Sequence, residues 1–217
     1  MLAAMLGKSG TGEDLIVLAE RRNKLNTHMV KLKSDYNHAL RNGTVTVMPL
    51  YEPEWPKYLP VLVIVPSSVT QNWLNEFDTW GHFGVALYHG GSRALALERL
   101  RSGIEEVLVC SKGVLVSSED LESLKAIPWK LIVVDEQHQQ KNRKSAGFLG
   151  LASLRDACQC PILGMTGTIM QNNPEELWSC VETVAPGFLE TWEEFKSQFA
   201  TPIMMARYVF FFQCLVN

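Results

Sequence analysis

No apolar run in this chain reaches the ~20 residues that a bilayer-spanning helix needs. The longest, Tyr208 to Val216, is interrupted by Gln213. A charged start followed by an apolar core and a small-residue cleavage site is also missing, so a secretory signal is not expected. Cysteine is sparse, with five in 217 residues, none at zinc-finger spacing. An odd count argues against a disulfide framework and for reduced thiols in an intracellular compartment. Cys158-Gln159-Cys160 is too short a pattern to establish a redox pair. Charge of one sign is lacking too. A net charge of −3 gives no global basic field, although a local patch can still contact nucleic acid. No internal repeat is visible.

What remains is ordinary globular composition, 47% apolar and 20% charged, enough for one α/β domain with a sizeable core. From Val61 onward, short apolar runs alternate with helical patterns. Val61–Val65, Val85–Tyr88, Val107–Cys110, Leu131–Val134 and Pro161–Met165 read as strands. Thr70–Thr79, Ala94–Arg101, Ser118–Lys125, Lys144–Ala157, Pro174–Thr183 and Glu193–Phe199 read as helices, with Ser118 as an N-cap. Such alternation predicts βαβ units, right-handed crossovers and a mainly parallel sheet flanked by helices. The first sixty residues differ. Leu2–Leu6 and Leu15–Leu25 look helical, and Lys31–Pro60 reads as a loop or insertion. The expected division is 1–60, a domain over 61–201, and an atypical apolar tail over 202–217.

Two runs carry the chemistry. Leu131-Ile132-Val133-Val134 ends abruptly in Asp135-Glu136-Gln137-His138. A buried strand that stops at two acids puts both at the carboxyl edge of the sheet, where open α/β folds bind ligands. Adjacent carboxylates repel unless a cation neutralises them, and a hydrated Mg²⁺ on a nucleotide would do so. The second run is Thr166-Gly167-Thr168, followed by Gln171-Asn172-Asn173. Its hydroxyls and tight turn suit a hydrogen-bonded relay, and parallel strands would set it beside the acids. Alone it reads as a simple turn. Ser67 and Ser68, after a strand, suit either a helix cap or a DNA phosphate. His28, His38, His82 and His89 lack ligand spacing, and the tryptophans read first as core or interface.

Asp135-Glu136-Gln137-His138 resembles motif II of superfamily-two helicase-like motors, usually Asp-Glu-Ala-His. Thr166-Gly167-Thr168 with Gln171-Asn172-Asn173 resembles motif III of the Snf2 subfamily. Val65-Pro66-Ser67-Ser68-Val69 with Asn72-Trp73 looks like its motif Ia, and Val109-Cys110-Ser111-Lys112 sits where a motif Ib would be, as a poor match. Asp78-Thr79-Trp80-Gly81, His89-Gly90 and Val184-Ala185-Pro186-Gly187 look most like the excision-repair branch related to the Cockayne syndrome group B protein. The resemblance implies a RecA-like lobe over roughly Val61–Thr201 and use of ATP and Mg²⁺. By it, Asp135 coordinates Mg²⁺, Glu136 activates water, and His138, Thr166, Gly167, Thr168, Gln171 and Asn172 couple the nucleotide to DNA. Pro66, Ser67, Ser68, Asn72 and Trp73 fall on its DNA-binding side, and Gln137 is a large side chain in a crowded place. Duplex DNA, a second RecA-like lobe and repair or chromatin proteins are the implied partners, in the nucleus and without a membrane.

Gly7-Lys8-Ser9 looks like the end of a phosphate-binding loop, but that pattern needs Gly five residues before Gly7, where Leu2 stands. Gly10-Thr11-Gly12 then breaks the helix the loop should open. Lys8 is therefore not expected to hold phosphate, and the lobe is expected to be incomplete at both ends, with weak or no hydrolysis by the chain alone. The alternative is an inactive fragment that only binds DNA or a protein partner.

Overall fold

The computed structural model describes residues 12–44, 59–170 and 173–205. Leu2–Leu6, Lys8, Gln171, Asn172 and the apolar tail from residue 206 onward lie outside them. The chain forms two compact units. One holds the described residues up to Ser111 with Pro128–Lys130; the other holds Lys112–Ile127 and the described residues from Leu131 onward.

In the first unit, α1 (Gly12–Arg41) is a 30-residue helix. It overturns the expected loop from Lys31 onward. The segment to Arg41 is polar, so it lacks apolar periodicity, yet it contains no Pro or Gly. The first breaker is Gly43, at φ +66°, where glycine's freedom ends the turn. Then come β1 (Val61–Val65), α2 (Thr70–Trp80), β2 (Val85–Tyr88), α3 (Arg93–Arg101) and β3 (Val107–Ser111). β3 lies between β1 and β2 and pairs with both in parallel. Every residue of β1 is fully buried, which explains its unbroken β-branched sequence. Glu105 and Glu106 are buried before β3: Arg99 pairs with Glu105, and the Gly84 amide donates to Glu106 Oε1 at 3.1 Å.

The second unit begins with a 3-10 turn at Lys112–Leu115 and α4 (Ser118–Lys125). The cap of α4 is Ser117 rather than the expected Ser118, its hydroxyl accepting from the Asp120 amide at 3.3 Å. β4 (Leu131–Val134), α5 (Ala146–Cys158), β5 (Ile162–Gly164), α6 (Pro174–Val184) and α7 (Trp192–Phe195) follow. β4 and β5 pair in parallel, with Val134 opposite Gly164. Ser145 caps α5 and Asn173 caps α6, whose Pro174, Glu175 and Glu176 suit a helix start. After α7 the backbone widens into a π-helical turn at Lys196–Ala200, so the last helical segment is not one regular helix. Trp178, Phe195 and Ala200 form a small core there. All described strand pairings are parallel and the class is α/β, as expected. No described helix is long and apolar enough to cross a membrane.

Candidate functional site

β4 is wholly buried and ends at Val134; the next two residues, Asp135 and Glu136, are partly exposed. The burial change occurs within one peptide because β5 carries the ladder one step further. Met165 N–H donates to Val134 C=O at 2.8 Å, and Gln137 N–H donates to Met165 C=O at 2.9 Å. The chain between these bonds turns sharply. Glu136 takes the left-handed conformation, φ 46° and ψ 50°, which costs a residue with a Cβ roughly 1–2 kcal/mol. Its amide, carbonyl and carboxylate are all held there. Its amide donates to Asp135 Oδ1 at 2.8 Å. Its carbonyl accepts from Lys112 Nζ at 2.6 Å and from the Gln139 amide at 3.0 Å. Its carboxylate lies 3.1 Å from His138 Nδ1.

Lys112 brings a cation to this edge and also donates to Gln139 Oε1 at 3.1 Å. Burial pulls its pKa down to about 8, while Asp135 and then Glu136 oppose that fall. In the sequence Lys112 stands in a weakly matching motif that implies no role for it. The carbonyl it holds is 24 residues away, and only the fold brings them together.

His138 reaches the neighbouring strand end. Its Nδ1 lies 2.9 Å from Thr166 Oγ1. Thr166 in turn donates its hydroxyl proton to Thr168 C=O at 3.1 Å and accepts from the Thr168 amide at 3.2 Å. Because that single proton is engaged, Nδ1 must carry the proton shared with Thr166 and the Glu136 carboxylate. The tautomer is thus assigned from the network. Gly167, with open space around it, makes the turn. The expected juxtaposition of Asp135, Glu136, His138, Thr166, Gly167 and Thr168 is present within the second unit.

Gln137 is accommodated. It is 4% exposed. Its amide nitrogen donates to Cys180 C=O at 2.7 Å and to the Thr183 hydroxyl. Its amide oxygen and carbon fill the space a Cβ on Gly164 would need.

In the first unit, Pro66 ends β1, and Ser67 and Ser68 are exposed in a 3-10 turn. Neither caps α2, whose N-cap position is Val69, without a side-chain bond. Asn72 is exposed on α2. Trp73 is half-buried and packs on Phe77, ring centres 6.0 Å apart, as a structural aromatic would.

Asp135 and Glu136 offer hard carboxylate oxygens, the donors Mg²⁺ prefers, and no described cluster of three or more potential ligands forms a closed metal cage. Two acids on an open edge fit a metal whose other ligands come from nucleotide phosphate and water, rather than a protein-enclosed ion.

Residues 8–211 match the SNF2-related domain, and the chain belongs to that family. It is 32% identical over 203 residues to the mouse DNA excision repair protein ERCC-6-like 2, covering 93% of this chain and 11% of that protein. It is 37% identical over 149 residues to Switch 2 of Arabidopsis thaliana, covering 68% of this chain and 17% of that one. The Sulfolobus solfataricus SWI2/SNF2 ATPase core in complex with dsDNA superposes with a TM-score of 0.57 at 31% identity, covering 69% of this chain and 30% of that chain. The fold is therefore that of an SNF2 RecA-like lobe. The chain spans only a small part of the length of these relatives.

Proposed function

We propose that this chain carries the hydrolytic edge of the N-terminal ATPase lobe of a Snf2-type, ATP-dependent DNA translocase, one that serves DNA repair or chromatin in the nucleus. The observation that carries the reading is the bonded path from Glu136 through His138 to Thr166 and Thr168. A simple strand-to-helix turn has no need of it.

When bound, Mg²⁺ would neutralise the phosphates of ATP and polarise them toward attack. Asp135 is the residue that would hold it. Glu136, turned outward by its left-handed backbone, presents a carboxylate to accept a proton from water. His138 Nδ1–H steadies that carboxylate and bonds Thr166, so the position of the acid and of the Thr166–Thr168 turn are linked. Pro66, Ser67, Ser68, Asn72 and Trp73 are the residues assigned to DNA: the exposed serine hydroxyls and backbone amides suit phosphate contact. Gln171 and Asn172 are assigned to the coupling segment.

The test is a pair of binding measurements on the purified chain. A fluorescent ATP analogue should bind in a Mg²⁺-dependent way, and Asp135→Asn should weaken it at least about tenfold, the worth of a lost charge-assisted contact of ~1.5 kcal/mol. Duplex-DNA affinity should shift when the analogue is added. Nucleotide binding indifferent to Mg²⁺, or DNA binding indifferent to nucleotide, overturns the reading.

A further inference from the structure

Gln137 is assigned nothing by the mechanism above, although it lies between Glu136 and His138. Its side chain points away from the acidic edge, into the second unit, and ends on the last turns of α6. Both acceptors are deeply buried: Cys180 is 2% exposed and Thr183 0%. Thr183 also donates to Cys180 C=O at 2.9 Å, so the three groups form a closed set. Gly164, opposite Val134 in the β4–β5 ladder, leaves the space the amide occupies.

Two ion pairs join the same two segments. Lys141 Nζ lies 3.0 Å from Glu176 Oε1, and Arg143 Nε lies 3.1 Å from Glu175 Oε1. These ion pairs fasten the stretch after the acids to the first turn of α6. Gln137 fastens the acid loop itself to the last turns of α6. Helix α6 is entered from the segment that begins at Thr166, through the cap at Asn173. The loop of Glu136 is thus bonded at two places along a helix that continues the Thr166 segment.

We propose that Gln137 is a positioning residue that yokes the acid loop to α6, so that displacement of α6 or of the segment entering it is felt at Glu136. The inference rests on the nucleotide-and-DNA reading above. It adds a second route between the two strand ends, through the helix, to the direct His138–Thr166 bond. Coupling needs a contiguous set of contacts whose arrangement both sites bias. A buried amide with two donors in use is such a contact, because it cannot slip without leaving polar groups unpaired.

Packing and yoking are separated by a paired substitution. Gly164→Ala alone should expel the Gln137 amide, and Gln137→Ala alone should leave a hole; both should lower the melting temperature. In Gln137→Ala with Gly164→Ala, the new methyl enters the vacated space, and Cys180 C=O keeps the Thr183 hydroxyl. The double variant should therefore recover much of the lost melting temperature. Its amide protons at Gln137–Gln140 should nevertheless exchange faster than in the parent. The nucleotide-induced change in duplex-DNA affinity should shrink by roughly 2- to 30-fold. Thr183→Val, which removes one acceptor and leaves the Gln137–Gly164 pair, should shift both readouts in the same direction. A double variant, or a Thr183→Val chain, with the parent's exchange and the parent's nucleotide response overturns the yoke. A parent chain whose DNA affinity ignores nucleotide overturns the functional reading as well, and is distinguished by being seen before any substitution.

Discussion

His138 Nδ1 and Thr166 Oγ1 are 2.9 Å apart, and this contact joins the carboxyl ends of two parallel strands, β4 and β5. Thr166→Val keeps the shape and removes the hydroxyl. The bond is partly exposed, so stability should fall by no more than ~1 kcal/mol. The nucleotide effect on DNA affinity should fall with it, while Mg²⁺-dependent nucleotide binding stays. The same network requires Nδ1 to carry the proton in the parent chain. Nitrogen NMR of His138 checks that directly, and an Nε2-protonated neutral ring would refute the assignment.

How this pair was legible shows what sequence can carry. Val134 to His138 reads as a buried strand meeting acids because a burial change along one segment is written in its own residues. The bounds of β2 and β4 agree with the reading for the same reason, since each is an apolar run between breakers. Thr166 could be placed beside the acids only through the parallel-sheet rule. Lys112 and Gln137 were not legible in this way. Lys112 finds Glu136 across 24 residues, and Gln137 finds Thr183 across 46. No periodicity encodes either contact. The extent of α1 was missed for another cause, because a long polar helix has no apolar stripe to see. Ser67 and Ser68 could be narrowed only by the structure, which leaves their hydroxyls out of any cap on α2.

Lys112 is half-buried and donates to a carbonyl that also accepts from the Gln139 amide at 3.0 Å. Lys112→Met should cost about 1 kcal/mol at neutral pH, since water can reach part of the site and replace some of the loss. The pH dependence has a defined sign. The folded-state pKa of about 8 lies below the ordinary 10.5. Between these values the folded chain binds fewer protons than the unfolded one, so this group's contribution to stability rises with pH. Denaturant melts should show the parent gaining on Lys112→Met as pH climbs from 8 toward 10.5. A gap that closes instead would contradict the burial of this amine.

Cys158 and Cys160 are separated by Gln159, which ends α5 in the left-handed conformation. Burial first, and the neighbouring Cys160 second, push the Cys158 thiol up to about 11 against the pull of Lys125. Cys160 is raised as well, again by burial. A redox pair needs the opposite, a depressed thiol. At neutral pH, Cys158 should hold roughly 100-fold less thiolate than a thiol at the ordinary 9.0. Iodoacetamide should therefore label it slowly, with a rate that climbs as the pH approaches 11. Fast labelling near pH 7 would show that the thiol is activated.

Gly147 and Gly150 sit one turn apart on α5 and should respond to alanine with opposite signs. Alanine is the better helix former by about 1 kcal/mol, so the change is favourable where there is room. At Gly147 the nearest foreign atom to a new Cβ is Gln140 Nε2 at 3.8 Å, an ordinary contact. Gly147→Ala should stabilise by a few tenths to ~1 kcal/mol, less than the full amount because the site lies in the first turn. At Gly150 the Cβ would meet the backbone carbonyl of Leu115, which cannot rotate away as a side chain can. Overpacking of this kind costs ~1–3 kcal/mol and outweighs the gain in propensity. Gly150→Ala should thus destabilise by about 1–2 kcal/mol net. The consequence extends to the acidic edge, because Leu115 closes the 3-10 turn that opens at Lys112. Pushing that turn away from α5 should shift Lys112 from the Glu136 carbonyl. Gly150→Ala should then reproduce part of the Lys112→Met phenotype, including its altered pH dependence, although Gly150 touches no charged group. Equal and favourable effects of the two alanines in thermal melts would refute the close approach of α5 to the turn.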